Sequence, residues 1–259
     1  MPVAAYCNKL IYRQNRPMIP IGDNIHSRSK PIASYFLIGI NIALFLWELK
    51  IEVAGELGDL VNSWGVVPAR LGAVTEDALA GGNPATWIAL LMLSSSLLLS
   101  IFLHGSFSQI LGNLLFLWVF GKSVEDVLGH GLFLVFYLLC GVLTSVVQIL
   151  VEPTLQVPLI GANGAVAGVL GAYVLSFPKA KIDTILPLAI VFIPIELPAL
   201  FYLLWWFVQQ VFYGIGSLNI AGGVNPHSIA YWAHGVGLAI GAVLWLCCKN
   251  LLRTKDPVR

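Results

Sequence analysis

Residues 159–171 read L-I-G-A-N-G-A-V-A-G-V-L-G and set one polar residue, Asn163, among glycines at the start of an apolar segment. A carboxamide in an apolar segment needs hydrogen-bond partners, so polar neighbours are expected around it. On a helix, the glycines would form a face without side chains, on which another backbone can lie close. These glycines are Gly161, Gly164, Gly168 and Gly171.

A second segment of small residues occurs near the C-terminus, where residues 234–241 read H-G-V-G-L-A-I-G. It places His234 ahead of Gly237 and Gly241 on another apolar segment. If the two small-residue faces pack together, Asn163 and His234 lie at a comparable depth.

The composition indicates the class of protein. Of 259 residues, 58% are hydrophobic and 10% charged, with a mean hydropathy of +0.85. Soluble domains carry roughly 25% charged residues. Several apolar stretches reach the roughly 17–25 residues needed to cross a hydrocarbon core about 30 Å thick. The chain is therefore predicted to be an all-α polytopic membrane protein, which excludes a soluble fold.

Six membrane spans are predicted, and charge decides their number. They cover residues 33–47, 107–120, 132–151, 159–177, 197–213 and 229–248. A further stretch, 87–103, is also apolar enough to cross. With six spans, 12 of the 14 Lys and Arg residues fall on one side, and a seventh crossing would scatter them. We therefore predict that 87–103 belongs to a membrane-embedded loop between helices 1 and 2 that does not cross.

The positive-inside rule then places both termini in the cytoplasm. Residues 1–30 and 251–259 are predicted to be cytoplasmic tails and 31–250 the membrane domain, in a bacterial plasma membrane or a thylakoid. The first 30 residues lack the apolar core of a cleavable signal peptide.

Other classes of site find little support. The net charge of +1 and the lack of a basic, aromatic-rich run argue against nucleic-acid binding. The cysteines offer no extracytoplasmic pair for a disulfide. No cofactor is predicted, and no metal site, because the histidines lack ligand spacing. These are His26, His104, His130, His227 and His234.

A third polar segment, residues 104–121, reads H-G-S-F-S-Q-I-L-G-N-L-L-F-L-W-V-F-G. Gln109 and Asn113 are four residues apart, so a helix stacks them on one face. Together with Asn163 and His234 they predict a shared polar cavity in the outer half of the membrane.

Two further polar residues are interpreted structurally. Asn41, in the first span, is expected to bond to a neighbouring helix. Residues 184–213 contain three prolines and are predicted to form an interfacial piece followed by a span from about Leu197. Glu196 would then cap that helix, where a carboxylate meets the positive end of the dipole.

The sequence resembles the rhomboid family of intramembrane serine proteases, and the likeness extends from Met18 to Asn250. It is closest to bacterial and cyanobacterial members of the six-span form. Besides 104–121, the matching segments are M-I-P-I-G-D-N at 18–24, V-E-D-V-L-G-H at 124–130, G-A-N-G-A-V-A-G-V-L-G-A-Y at 161–173 and Y-W-A-H-G-V-G at 231–237.

The resemblance implies a Ser-His dyad and a His-Asn pair that holds the oxyanion. His234 matches the dyad histidine and Asn113 the oxyanion asparagine, but Asn163 occupies the serine position and Gln109 the second histidine position. His104 and the five glycines are expected in substrate-contacting or structural roles. These glycines are Gly161, Gly164, Gly168, Gly237 and Gly241.

A neutral carboxamide offers no nucleophile that His234 could activate. The sequence therefore predicts a rhomboid pseudoprotease that binds transmembrane segments of partner proteins; its oligomeric state stays open. The alternative is an active intramembrane endopeptidase with another nucleophile, for which Ser106 and Ser108 are the nearby hydroxyls. A transporter or channel is a third class with little behind it, because the polar stripe carries no charge.

Overall fold

The computed structural model describes residues 18–81, 84–188, 191–216 and 226–253. Its helices are α1 (Ile32–Val53), α2 (Leu57–Trp64), α3 (Pro68–Leu79), α4 (Pro84–Leu99), α5 (Phe107–Phe116), α6 (Lys122–Leu128), α7 (His130–Val151), α8 (Asn163–Ser176), α9 (Ala199–Gly216) and α10 (Pro226–Arg253). A 3₁₀ turn, Ser100–Phe102, follows α4, and a π-helical turn, Leu117–Gly121, joins α5 to α6. Three strands are β1 (Ile19–Asp23), β2 (Lys181–Leu188) and β3 (Val191–Pro198).

The polytopic helical architecture is confirmed, and each of the six predicted spans coincides with a helix. Within the described residues, five helices are long and apolar enough to cross a membrane: Ile32–Val53, Pro84–Phe102, Phe107–Leu128, His130–Val151 and Trp232–Lys249. Helix α8 is apolar but shorter. Its 14 residues extend about 21 Å, so it crosses the middle of the bundle rather than a full bilayer.

The segment between α1 and α5 begins and ends at the same end of the bundle. The His104 amide that precedes α5 donates to the Glu48 carboxylate of α1 at 3.1 Å. At the start of α3, the Ala69 amide donates to the Leu155 carbonyl, and at the end of α4 the Ser100 carbonyl accepts from Gly161. Pro84–Phe102 is itself one of the helices long and apolar enough to cross a membrane. The embedded loop that does not cross therefore stays a prediction for 87–103.

The centre of the bundle is the packing of α8 against α10, which makes the most extensive helix contact. An added Cβ on Gly237 would lie 2.5 Å from the Gly164 carbonyl oxygen, and one on Gly241 would collide with the backbone of Gly168. Both glycine pairs advance by four residues in the same direction, so the two helices run parallel. The predicted side-chain-free faces are therefore in contact.

The all-α prediction missed a three-stranded antiparallel sheet in the order β1-β2-β3. Ile19 pairs with Ile185, and Lys181 pairs with Pro198. The predicted capping role of Glu196 is wrong, because this residue lies in β3 and the helix begins three residues later. Its carboxylate is instead 3.3 Å from the Lys181 ammonium group.

The N-terminal segment predicted as a tail lies outside the described residues up to position 17, and β1 begins soon after. Asp23, at the end of β1, accepts hydrogen bonds from the Ser123 hydroxyl at 2.8 Å and the Tyr173 hydroxyl at 2.9 Å. The Lys122 ammonium lies 2.9 Å from the same carboxylate. The strand is thereby attached to α6 and to α8. At the other terminus, α10 continues to Arg253.

The segment 124–130 anchors the start of α1. The buried Glu125 carboxylate accepts from the backbone amides of Ala33 and Ser34, both at 2.8 Å. It also accepts from the Ser34 hydroxyl at 2.6 Å and lies 2.5 Å from His130 Nδ1. A carboxylate here satisfies the first amides of a helix and faces the positive end of its dipole. Within α1, the Asn41 carboxamide donates to the Leu37 carbonyl of its own helix. It also interacts with the Tyr137 side chain of the neighbouring helix α7, the kind of helix-to-helix contact that was predicted.

Candidate functional site

The four predicted site positions line one cavity of about 500 Å³. Gln109 and Asn113 reach it from α5, Asn163 from the first residue of α8 and His234 from α10. Phe116 and Trp206, whose ring centroids are 5.3 Å apart, line it where α5 meets α9. The cavity is lined by neutral polar and apolar groups, an environment suited to amides and hydroxyls.

The Asn113 carboxamide uses both of its N–H groups inside the protein. Its Nδ2 donates to Asn163 Oδ1 at 3.1 Å and lies 3.3 Å from His104 Nε2. His104 Nδ1 lies 3.2 Å from the Phe102 carbonyl, which fits the tautomer with the proton on Nδ1 and a lone pair on Nε2. The two donors of Asn113 are thus occupied by Asn163 and His104.

His104 belongs to this hydrogen-bond network. Its side chain is buried and burial lowers its pKa to about 4, so the imidazole is neutral and able to accept from Asn113. Its own amide donates to the buried Glu48 carboxylate. Sequence reasoning missed Glu48; a carboxylate within an apolar helix was the available signal.

Gln109 connects the start of α5 to the loop that precedes Asn163. Its Oε1 accepts from the Gly105 amide at 2.9 Å and its Nε2 donates to the Ile160 carbonyl at 3.2 Å. Gly161 follows with a φ of +107°, and an added Cβ there would collide with the Gln109 amide. Only glycine fits this backbone, because both the conformation and the available space exclude a side chain.

His234 is oriented by a residue that sequence reasoning did not find. Its Nδ1 lies 2.9 Å from Gln210 Oε1 on α9, and its ring makes an edge contact with Trp206. Because the carboxamide oxygen can only accept, the proton sits on Nδ1 and Nε2 keeps its lone pair. The run W-W-F-V-Q-Q at 205–210, with two amides in an apolar helix, was the signal.

Ser106 and Ser108, the alternative nucleophiles, also line the cavity. Ser106 caps α5, because its hydroxyl oxygen accepts from the Gln109 amide at 3.2 Å. The two hydroxyls lie 3.1 Å apart. Among the described residues, no group of three or more His, Cys, Asp or Glu side chains is arranged to hold a metal ion.

The family model described as Rhomboid domain matches residues 93–250, more than half of the sequence. This chain belongs to the rhomboid family. As a rhomboid-family protein with several membrane helices, it is an integral multi-pass membrane protein.

Several curated rhomboid proteins are similar over part of their length. The mitochondrial presenilin-associated rhomboid-like protein of Mus musculus is 34% identical over 115 residues, 44% of this chain and 28% of that protein. Rhomboid protease GluP of Bacillus subtilis is 33% identical, over 57% of this chain and 25% of that protein. The chloroplastic rhomboid-like protein 11 of Arabidopsis thaliana is 35% identical, over 57% and 50%. The chain thus spans a quarter to a half of these relatives.

Proposed function

We propose that this rhomboid-family protein is a pseudoprotease that binds transmembrane segments of other membrane proteins and does not cleave them. The observation that carries the proposal is the hydrogen bond from Asn113 to Asn163. By the family resemblance, these residues occupy the positions of an oxyanion donor and of the nucleophile. Here they bond to each other.

The chemistry of the two positions supports this reading. An attacking serine transfers its hydroxyl proton to the dyad histidine, whereas the Asn163 carboxamide has no comparable group. With both Asn113 N–H groups engaged, the donor expected to stabilise a tetrahedral oxyanion is also occupied. A protease that has lost its catalytic groups retains about 10³- to 10⁴-fold catalysis over water, which is negligible for a peptide bond.

The rest of the site supports binding. The imidazole of His234 is held by Gln210, and the cavity remains open beside the aromatic pair Phe116 and Trp206. Neutral amides and hydroxyls within a membrane bundle offer partners to the polar or unwound part of a transmembrane segment. The resemblance to the rhomboid family implies that such segments enter the site laterally, from between the helices. The expected partners are single membrane-spanning helices of other proteins.

A cleavage assay in liposomes separates a dead site from an active one. We expect no cleavage of a model single-span substrate by the unaltered chain, and cleavage by Asn163→Ser, alone or with Gln109→His. Adding His234→Ala to the restored variant should abolish the activity. Cleavage by the unaltered chain that is lost in His234→Ala would falsify the pseudoprotease reading; its further loss in Ser106→Ala or Ser108→Ala would name the alternative nucleophile.

Binding is tested separately from cleavage. A photoreactive benzoyl-phenylalanine replacing Phe116 should cross-link to the model segment, because Phe116 lines the cavity. The same group replacing Leu246, which is exposed on α10, is the matched control for chance encounters in the bilayer. Equal cross-linking from both positions would contradict specific binding at the site.

A further inference from the structure

The distal half of the β2–β3 hairpin is an apolar projection at the end of the bundle where α8 stops and α9 starts. Residues 185–195 read I-L-P-L-A-I-V-F-I-P-I and contain no charged or hydrogen-bonding side chain. The charged residues of the hairpin lie at its base: Lys181, Asp183 and Glu196. β1 pairs with β2 only from Ile182 to Ile185, so the distal half extends beyond the sheet.

Both faces of the hairpin are open at Phe192 and Ile193. Successive residues of a strand point to opposite faces, and two neighbours in β3, Phe192 and Ile193, are 63% and 38% exposed. A hairpin packed on a protein core, or standing in water, would show one polar face. Apolar side chains exposed on both faces indicate an apolar surrounding medium.

The free strand edges argue against another protein chain as that surrounding. Beyond β1, the edges of the hairpin belong to β2 and β3, and each carries a proline, Pro187 and Pro194. Proline on an edge strand removes an N–H donor and blocks the addition of a further strand. Pairing with a second copy through these edges is therefore disfavoured.

The hairpin is continuous with an exposed apolar helix surface. β3 leads directly into the apolar helix α9, whose first turns expose Leu200, Phe201 and Leu204. In an integral membrane protein, such a continuous apolar surface suits contact with lipid. Lys179 follows α8, and the exposed Lys181, which pairs with Glu196, begins β2 at the base of the hairpin. Such cations suit the level of the phosphate headgroups.

We propose that the β2–β3 hairpin is an interfacial membrane anchor, with Phe192 and Ile193 inserted among the lipids of the leaflet next to the ends of α8 and α9. The remaining backbone donors and acceptors of its open edges need water or headgroups, because unpaired backbone groups are excluded from the hydrocarbon centre. The hairpin therefore lies at the headgroup and upper acyl level, as interfacial segments do. This assignment is independent of whether the cavity is catalytic.

Spin-label accessibility in liposomes tests the proposal on the intact protein. Cys7, Cys247 and Cys248 are first replaced by serine, and the fully buried Cys140 is retained. Labels are attached through Phe192→Cys or Ile193→Cys, and through Glu196→Cys at the exposed base as the matched control. Relaxation by oxygen, which partitions into lipid, is compared with relaxation by a water-soluble nickel chelate.

We expect the ratio of oxygen to nickel relaxation at positions 192 and 193 to be about threefold or more above that at 196, as for side chains below the headgroups. A ratio equal to that of the control would place the tip in water and overturn the proposal. Low accessibility to both reagents would place it in a protein contact, such as one with a second copy, and would overturn it as well. Because Phe192 is largely exposed, its replacement removes no packed core side chain.

Discussion

Gly237 of α10 lies directly on the backbone of Gly164 in α8, one residue after Asn163. A Cβ at Gly237 would be 2.5 Å from the Gly164 carbonyl oxygen and 2.8 Å from its Cα. The helices can only separate to accept it, since both neighbouring atoms are backbone. The small-residue faces therefore set how closely Asn163 and His234 approach across the cavity.

Gly237→Ala is expected to destabilise the protein by about 1–3 kcal/mol, the usual cost of forcing extra atoms into a packed interface. The measurement is the free energy of unfolding in mixed micelles. Gly39→Ala on α1 is the matched control, because its Cβ would meet nothing within 4 Å. Equal stability of the two variants would contradict the close contact.

Gly161→Ala should disturb the site as well as the fold. The residue has a φ of +107°, and its new Cβ would displace the Gln109 amide that bonds to the Ile160 carbonyl. Gly81 has a similar positive φ of 81°, but a Cβ there would meet nothing within 4 Å. The substitution Gly81→Ala therefore measures only the cost of the backbone conformation. We expect Gly161→Ala to lose more stability than Gly81→Ala. The difference should shrink when Gln109→Ala is added to Gly161→Ala.

Glu125→Gln should cost about 2–4 kcal/mol of unfolding free energy, because one of two buried acceptor oxygens becomes a donor facing the amides of α1. The control is Glu196→Gln, where a largely exposed ion pair with Lys181 is lost and a change below about 1 kcal/mol is expected. Thermal or denaturant unfolding of both variants measures the contrast. A similar loss in both would argue against an anchoring role for Glu125.

Stability should fall as the pH drops below 6.5 because of His104. Burial lowers its pKa to about 4, so the unfolded chain binds a proton between pH 6.5 and 4 that the folded chain excludes. Above pH 6.5, His104 is neutral in both states and the free energy of unfolding is unaffected by it. Between pH 6.5 and 4, the free energy of unfolding falls by up to about 1.4 kcal/mol per pH unit. In His104→Gln this part of the slope should vanish. An unchanged slope in the variant would assign the pH dependence to other groups.

Gln210 is expected to be a positioning residue for His234. In the Asn163→Ser background, Gln210→Leu should lower cleavage about 10²-fold or more, because the imidazole loses the acceptor that fixes its proton on Nδ1. Gln209→Leu, the neighbouring amide on the same helix, is the control. The pH profile of the remaining activity should also shift, which a general loss of stability would not produce. Equal effects of the two substitutions would refute the assignment.

The features that followed from the sequence are those with a strong local signal. Hydropathy located the apolar segments that coincide with the helices of the bundle. The spacing of Gly164 and Gly168 predicted a face without side chains, and the structure places a second such face against it. The four polar residues assigned to one cavity also line one cavity.

What the sequence did not reveal depends on tertiary contacts. The apolar, proline-containing run 184–198 has no periodicity that separates a strand from an interfacial helix, and its pairing with β1 is a long-range event. For Gln210 and Glu48, the sequence shows a polar residue in an apolar helix but not its partner. The folded chain shows that Gln210 contacts His234 and that Glu48 accepts from the His104 amide.

The N-terminal strand gives this protein a dependence on the order of its synthesis. β1 leaves the ribosome before α1, yet the Tyr173 hydroxyl that reaches Asp23 is 150 residues further along, and the partner strand begins at Lys181. The sheet can close only in a chain in which α1 to α8 have already been synthesised. A translation product that stops before β2 leaves β1 and Asp23 without their partners. Quality-control proteases could recognise such an unpaired strand.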